Sequence, residues 1–243
     1  MTEAVLGVVC ALRSEARHLG RSVSNHAGLG TLPDGTLIAV TGMGPEAAAA
    51  GTAALIGAGA GALMSFGMAG GVDPQLPAGC LFLPAELASP EGVRLACDPL
   101  WHDELRRVLS GAVTEGLLAT VRAPLSTAAA KAAVRQATGA RAVDMESSAV
   151  AQLAQRHALP FVAVRVIIDD AQAELPDAIA AATGADGQVA AWKVASHLLR
   201  HPGELAALLR LARAYSAANA TLAAVAASGA LRRRLPAPHT VAG

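Results

Sequence analysis

Short apolar segments alternate with amphipathic or Ala-rich segments along most of the chain. Runs rich in Val, Leu and Ile that are bounded by glycine or charge are typical of buried strands. The pattern predicts strands at Ala4–Cys10, Leu37–Val40, Ala62–Phe66, Gly79–Leu83, Gly92–Leu95, Gly116–Val121, Ala142–Asp144 and Phe161–Ile168. Alternating strands and helices predict an α/β fold, a three-layer sandwich with a central mixed sheet.

Helices are predicted between these strands and after the last of them. The predicted helices are Ser14–Leu19, Glu46–Ala58, Pro99–Leu109, Ser126–Thr138, Glu146–His157, Val189–Leu199 and Glu204–Ala227. An irregular loop is predicted over 171–186, at the mouth of a site. We expect one domain over residues 1–230 and a flexible tail over 231–243.

One stretch has the length and apolarity of a membrane span. Ala47–Val72 contains no charge and is long enough to cross a bilayer. Glycine recurs along it, however, and Gly70-Gly71 interrupts its end. A helix, a glycine turn and a buried strand therefore account for it better.

Composition excludes several classes of protein. The chain has 243 residues, 53% of them hydrophobic, and zero formal net charge, which disfavours disorder and nucleic-acid binding. Its three cysteines and scattered histidines have no metal-ligand spacing. The start of the chain does not fit a signal peptide. We expect a cytoplasmic protein with reduced thiols, no metal and no organic cofactor.

Acidic residues follow two predicted strands directly. Met145-Glu146 comes after the strand that ends at Asp144, and Asp169-Asp170 follows the next strand along the chain. Open α/β sheets bind ligands at the carboxyl ends of their strands. We therefore expect carboxylates that face a cleft, one to bind a polyol and one to handle a proton. The glycine turns predicted at Gly42–Gly44 and Gly67–Gly71 would let backbone amides approach an anion or a sugar.

Five segments in the same order resemble the purine/uridine phosphorylase and nucleosidase superfamily. They span roughly residues 4–170, and five ordered motifs are far harder to obtain by chance than one. The segments are Ala11-Leu12-Arg13-Ser14-Glu15, Gly42-Met43-Gly44, Gly67-Met68-Ala69-Gly70-Gly71, Met145-Glu146 and Arg165-Val166-Ile167-Ile168-Asp169.

The resemblance implies a role for each candidate residue. Asp169 matches the family acid that protonates the purine N7, and Glu15 matches the residue that orients water in hydrolytic members. Glu146 matches the carboxylate that binds the ribose hydroxyls, Met145 would pack on the sugar ring, and Met68 stands at a sugar- or phosphate-contacting position. The family implies a homo-oligomer, with inorganic phosphate as co-substrate in its phosphorolytic members.

This chain departs from the family pattern at two of these positions. Ile168 replaces the Ser that usually supports the acid, so Asp170 or a backbone group is expected to hold Asp169. Met68 replaces a residue that often carries a hydroxyl, which weakens the case for a phosphate site, although Arg13 or another arginine could compensate.

The C-terminal portion resembles the hopanoid-associated branch of the superfamily. The segments Glu174-Leu175-Pro176, Asp186-Gly187 and 201–213 carry this resemblance. It implies release of adenine from adenosylhopane, a lipid-linked nucleoside. The Leu/Ala stripe over 204–227 is interpreted mainly as packing on its own domain, with transient contact to a membrane surface as the alternative.

Three hypotheses remain open at this point. The first is cleavage of an adenosine-type N-glycosidic bond by phosphorolysis or by hydrolysis, with adenosylhopane as the substrate. The second is a nucleosidase that acts on methylthioadenosine or adenosylhomocysteine. The third is a non-catalytic protein that binds a nucleoside or a lipid.

Overall fold

The computed structural model describes residues 4–20, 23–24, 29–109, 113–174 and 204–232. Within them a mixed sheet carries helices on both sides, which confirms the predicted fold class. The strands are β1 (Leu6–Cys10), β2 (Val23–Ser24), β3 (Leu29–Thr31), β4 (Leu37–Val40), β5 (Ala62–Gly71), β6 (Leu81–Phe82), β7 (Glu86–Ala88), β8 (Arg94–Ala96), β9 (Val113–Thr114), β10 (Leu117–Thr120), β11 (Ala142–Asp144) and β12 (Phe161–Asp169). The helices are α1 (Arg13–Ala16), α2 (Pro45–Gly57), α3 (Pro99–Val108), α4 (Ala128–Thr138), α5 (Ser147–Arg156) and α6 (Leu205–Ala227).

Strand β5 is the centre of the sheet and pairs with three other strands. Strand β1 runs parallel to its first half, and β12 runs parallel along its other edge. Strand β11 pairs antiparallel with the last two residues, Gly70 and Gly71, and so runs back along β5. The ends of β1, β11 and β12 therefore meet around the second half of β5, where the sheet can hold a ligand.

The glycine-rich segment Gly67–Gly71 is part of β5, so the prediction of a turn there was wrong. Glycine is rare in strand interiors, where it often marks the close approach of another group. Here the approaching groups are carboxylates. A Cβ built at Gly67 would lie 2.5 Å from Glu15 Oε1, and one at Gly70 would lie 3.1 Å from Asp169 Oδ1.

Strand β12 contains one extra residue near its end. Ile167 lies opposite Ala69 and Asp169 lies opposite Gly70, so Ile168 has no counterpart on β5. Such a bulge re-aims the side chains that follow it. It places Asp169 beside the Gly70 backbone.

Local capping explains where the helices begin and end. The Thr127 side chain accepts a hydrogen bond from the Ala130 backbone N–H, and Gly139 ends α4 in the left-handed conformation with φ of 74°. Pro45 occupies the first turn of α2, where a missing N–H costs nothing. These ends lie within two residues of the predicted bounds.

Several predictions can be compared with the described residues. Ala47–Val72 divides into most of α2, a turn and β5, as predicted, and no described helix has the length and apolarity to cross a bilayer. The short strands β2, β3, β7 and β9 were not predicted. The predicted helix Val189–Leu199, most of the 171–186 loop and nearly all of the tail lie outside the described residues.

Candidate active site

The Glu146 carboxylate lies between the start of α2 and the start of α5. Its Oε1 accepts a hydrogen bond from the Gly44 backbone N–H at 2.9 Å, and its Oε2 accepts one from Met145 N at 3.3 Å. Glu146 is only 6% exposed. Burial raises the pKa of Glu146 to about 7, and the negative charge of Asp144 adds to the rise. Each oxygen retains a lone pair that can accept a hydrogen bond from a hydroxyl.

Glu15 is buried on α1, directly after β1, and two backbone amides fix its carboxylate. Oε1 accepts a hydrogen bond from Met68 N and Oε2 accepts one from Leu12 N, both at 2.9 Å. Burial raises the pKa of Glu15, while the nearby Arg165 guanidinium opposes the rise. The carboxylate is therefore held rigidly at the middle of β5 and is a stronger base than an exposed glutamate.

A buried ion pair between Arg165 and Asp144 lies near these carboxylates. Arg165 on β12 donates to Asp144 Oδ2 from Nε at 3.0 Å and from Nη2 at 2.7 Å. Its Nη2 also lies 2.6 Å from Ser65 Oγ and 2.8 Å from Ser147 Oγ. The other oxygen of Asp144 accepts from the Thr120 hydroxyl at 2.9 Å. This network ties four strands and the start of α5 into one rigid frame.

Asp169 is held by a residue that the sequence did not indicate. Lys131 Nζ donates to Asp169 Oδ2 at 2.5 Å and to the Asp170 carbonyl at 2.6 Å. The side-chain partner is thus a lysine from α4 and not Asp170, whose carboxylate accepts instead from Gln172 N. Burial raises the pKa of Asp169, and the Lys131 ammonium opposes the rise.

Both glycine segments use backbone amides to hold carboxylates. Gly42 N donates to the Ala11 carbonyl and Gly44 N donates to Glu146. Met68 N donates to Glu15, and the Met68 side chain is half-buried against the core. Two of these three amides therefore bind anionic side chains of the protein itself, and the third binds a backbone carbonyl.

Among the residues that the structure describes, four carboxyl groups and two cations make up the charged part of this site. Glu15, Asp144 and Glu146 surround Arg165, and Asp169 pairs with Lys131. Both cations are 1% exposed. Carboxyl groups outnumber cations here, so the site offers a polyol ligand hydrogen-bond acceptors and offers an anion few donors.

The chain matches the family model of the Phosphorylase superfamily over residues 6–200. The chain belongs to the Phosphorylase superfamily. This match confirms the expected class of enzyme, a nucleoside phosphorylase or nucleosidase. All of the carboxylates and cations described above lie within the matched residues.

Solved structures of nucleosidases and hydrolases share the fold of this superfamily member. The 5′-methylthioadenosine/S-adenosylhomocysteine nucleosidase of Colwellia psychrerythraea, in complex with adenine, superposes with a TM-score of 0.68 at 21% identity, covering 97% of this chain and 99% of that one. The futalosine hydrolase of Helicobacter pylori superposes with a TM-score of 0.67 at 16% identity, covering 93% and 96%. No curated protein sequence matches this chain.

Sequence reasoning missed Lys131, Asp144 and Arg165 as parts of the site. Arg165 stood inside a quoted motif but received no role, and Asp144 was treated only as a strand end. Lys131 interrupts an Ala-rich helix and is the one buried residue of α4. A lone cation on the apolar face of a helix was the available signal. Among the described residues, no group of three or more His, Cys, Asp or Glu side chains could hold a metal ion.

Proposed function

We propose that this enzyme hydrolyses the N-glycosidic bond of an adenosine-type nucleoside and releases adenine, with adenosylhopane as its substrate. The observation that carries the choice of hydrolysis is the position of Glu15. Its two oxygens are fixed by backbone N–H groups, so the carboxylate can accept a proton from one water molecule without reorganising.

The proposed reaction divides the work among three carboxyl groups. Asp169 donates a proton to the purine N7, so that adenine leaves as a neutral base while the bond to C1′ breaks. Glu146 accepts hydrogen bonds from the ribose hydroxyls, and Met145 packs on the sugar ring. Glu15 takes a proton from the water that attacks C1′. Sugar-cleaving enzymes use paired carboxyl groups in a similar division between acid and base.

The charges of the site support water over phosphate as the nucleophile. A phosphate would enter beside Glu15 and Glu146, where it would need an available cation. The buried cations Arg165 and Lys131 each pair with a carboxylate. Arg13, which the sequence suggested as a phosphate partner, is exposed on α1. Among the described residues the site therefore has no unpaired buried cation, and bringing a dianion beside these carboxyl groups would be costly.

The lipid-linked substrate rests on the resemblance of 174–213 to the hopanoid-associated branch, of which the structure describes 174 and 204–213. Helix α6 in this region has exposed apolar residues, Leu205, Leu209 and Tyr215. Such side chains suit contact with a triterpenoid or with the membrane surface that holds it. The solved nucleosidases of similar fold, including one bound to adenine, support the adenosine-type head group.

The test is to incubate the purified protein with adenosylhopane in detergent micelles, with and without inorganic phosphate, and to identify the products. We expect adenine release at equal rates in both, with one ¹⁸O from labelled water on the ribosyl product. Asp169→Asn should lower kcat by about 10²–10⁴-fold. Parallel incubations use 5′-methylthioadenosine and S-adenosylhomocysteine.

Each outcome has a distinct meaning. A ribosyl 1-phosphate that forms only with phosphate would overturn hydrolysis. Adenine release from the small nucleosides alone would overturn adenosylhopane as the substrate and leave a methylthioadenosine-type nucleosidase. Binding of the three nucleosides without release of adenine from any of them would refute the proposed cleavage activity.

A further inference from the structure

Lys131 is a buried lysine in a helix that otherwise contributes little to the interior. It is 1% exposed and is the one buried residue of α4. A buried ammonium is unfavourable unless charge and hydrogen bonds compensate it. Here the compensation comes from Asp169 Oδ2 and the Asp170 carbonyl, both within 2.6 Å. The lysine is therefore fixed at the end of β12.

The two oxygens of Asp169 are unequal as a result. Oδ2 is occupied by Lys131, whereas Oδ1 is buried and has no hydrogen-bond partner among the described residues. Oδ1 lies beside Gly70, and a Cβ atom added to this glycine would lie 3.1 Å from it. A buried polar atom without a partner is costly and needs an explanation, and at the end of a strand that faces the site a catalytic role supplies one. Ile168, the preceding residue, offers no polar side-chain atom for either oxygen.

We propose that Lys131 is a positioning residue that directs Oδ1 of Asp169 at the purine and stabilises the carboxylate that remains after proton transfer. This inference rests on the proposed function. As the Oδ1–H bond breaks and the N7–H bond forms, the electron pair of the O–H bond stays on Asp169. The electron pair of the glycosidic bond moves into the purine. Lys131 keeps its own protons and faces the growing negative charge throughout.

The charge of Lys131 has a predictable effect on pH dependence. Among the described residues, the charged groups that act on Asp169 are Lys131 from α4 and Asp170 after β12, while β5 contributes only the Gly70 backbone. Lys131 holds the pKa of Asp169 down, against the effects of burial and of Asp170. Removing the ammonium must therefore raise this pKa. Activity that needs protonated Asp169 would then persist to higher pH.

The experiment compares Lys131→Met with the wild type in adenine release from adenosylhopane across pH 5–10. Methionine keeps most of the length of the side chain but removes the charge and the donor. We expect kcat to fall by about 10- to 100-fold, since the acid loses both its orientation and its charge stabilisation. The alkaline limb of kcat/KM should move up by about one pH unit.

Two further variants separate positioning from a purely structural role. Arg135→Met is the matched control on α4, because Arg135 is half-exposed and pairs with Asp73 at 3.4 Å; it should leave kcat and the pH limb unchanged. In an Asp169→Asn background, Lys131→Met should have little further effect on kcat, because the residue acts through Asp169.

The outcomes distinguish this inference from the proposed function. No adenine from the wild type would refute the function itself. Adenine from the wild type, with kcat and the pH limb unchanged in a folded Lys131→Met variant, would overturn the inference alone. An equal loss in the presence and absence of Asp169 would also overturn it. If Lys131→Met does not fold, Lys131→Arg and Lys131→Gln take its place. Lys131→Arg must keep the alkaline limb of kcat/KM at its wild-type pH, and Lys131→Gln must move it. Any other result overturns the inference.

Discussion

Replacing Glu146 with glutamine is expected to stabilise the protein at pH 8 and to change its stability little at pH 5. Burial and the Asp144 charge raise the pKa of Glu146 from an ordinary 4.5 to about 7. The folded state therefore binds this proton more tightly than the unfolded state. Its contribution to stability is complete below pH 4.5 and is lost as the pH rises through about 7.

The size of the effect follows from the two pKa values. Their difference corresponds to about 3 kcal/mol of unfolding free energy between acid and alkaline conditions. Glutamine carries no charge at any pH, so the variant avoids this loss. Its amide oxygen can still accept the hydrogen bond from Gly44, and any packing cost is the same at every pH. Glu15 and Asp169 also contribute to the pH dependence of the unfolding free energy, but both proteins contain them, so their contributions largely cancel in the difference.

The assay is urea denaturation of both proteins at pH 5, 6, 7 and 8, followed by circular dichroism. The free energy of unfolding of the variant minus that of the wild type should increase by about 2.5 kcal/mol from pH 5 to pH 8, because part of the full difference is already lost by pH 5. Glu86→Gln is the matched control, because this glutamate is half-exposed on β7 and pairs with Arg94 at the surface; its effect should stay within about 1 kcal/mol. A pH-independent difference for Glu146→Gln, or one that decreases with pH, would refute the reasoning.

Two other substitutions test the remaining parts of the site. Glu15→Gln should lower kcat for adenine release by about 10²–10⁴-fold, because the amide cannot accept the proton from water. Adenine binding, measured by calorimetry, should be unchanged. An unchanged kcat would exclude Glu15 as the base. Gly67→Ala would place a methyl group 2.5 Å from Glu15 Oε1 and 2.7 Å from Arg165 Nη1, so we expect a loss of about 1–3 kcal/mol in thermal denaturation and reduced activity. Gly57→Ala has open space around it and should instead be neutral or stabilising by up to about 1 kcal/mol; equal effects of the two alanines would contradict the crowding argument.

The central strands were predictable because the sequence around them is locally consistent. A continuous apolar run that ends in an acidic residue predicted β12 and its terminal Asp169, and the same signal predicted β11 and the nearby Glu146. The predicted fold class also holds. The catalytic and binding roles assigned to these residues stay predictions.

The errors came from interactions between segments that are far apart in the sequence. Gly67–Gly71 has the composition of a turn, but its glycines serve to admit Glu15 and Asp169 against an extended backbone. Lys131 is separated from Asp169 by 38 residues, and the local sequence around either residue does not predict their ion pair. Two-residue strands such as β2 and β9 form mainly because a neighbouring strand is already in place, so local pattern cannot predict them.

The position of β5 between two distant partners also has a consequence for how the chain folds. Its β1 partner precedes it by about 56 residues, but its β12 partner follows nearly 100 residues later, with Phe161 opposite Leu63. During synthesis one edge of an apolar strand therefore stays unpaired until residues 161–169 emerge, and such an edge is a hazard for aggregation. Because β12 also carries Arg165 and Asp169, the same pairing event that closes the edge completes the site. A chain stalled before it would be unable to bind substrate and prone to self-association, so ligand binding can serve as a reporter of this pairing step.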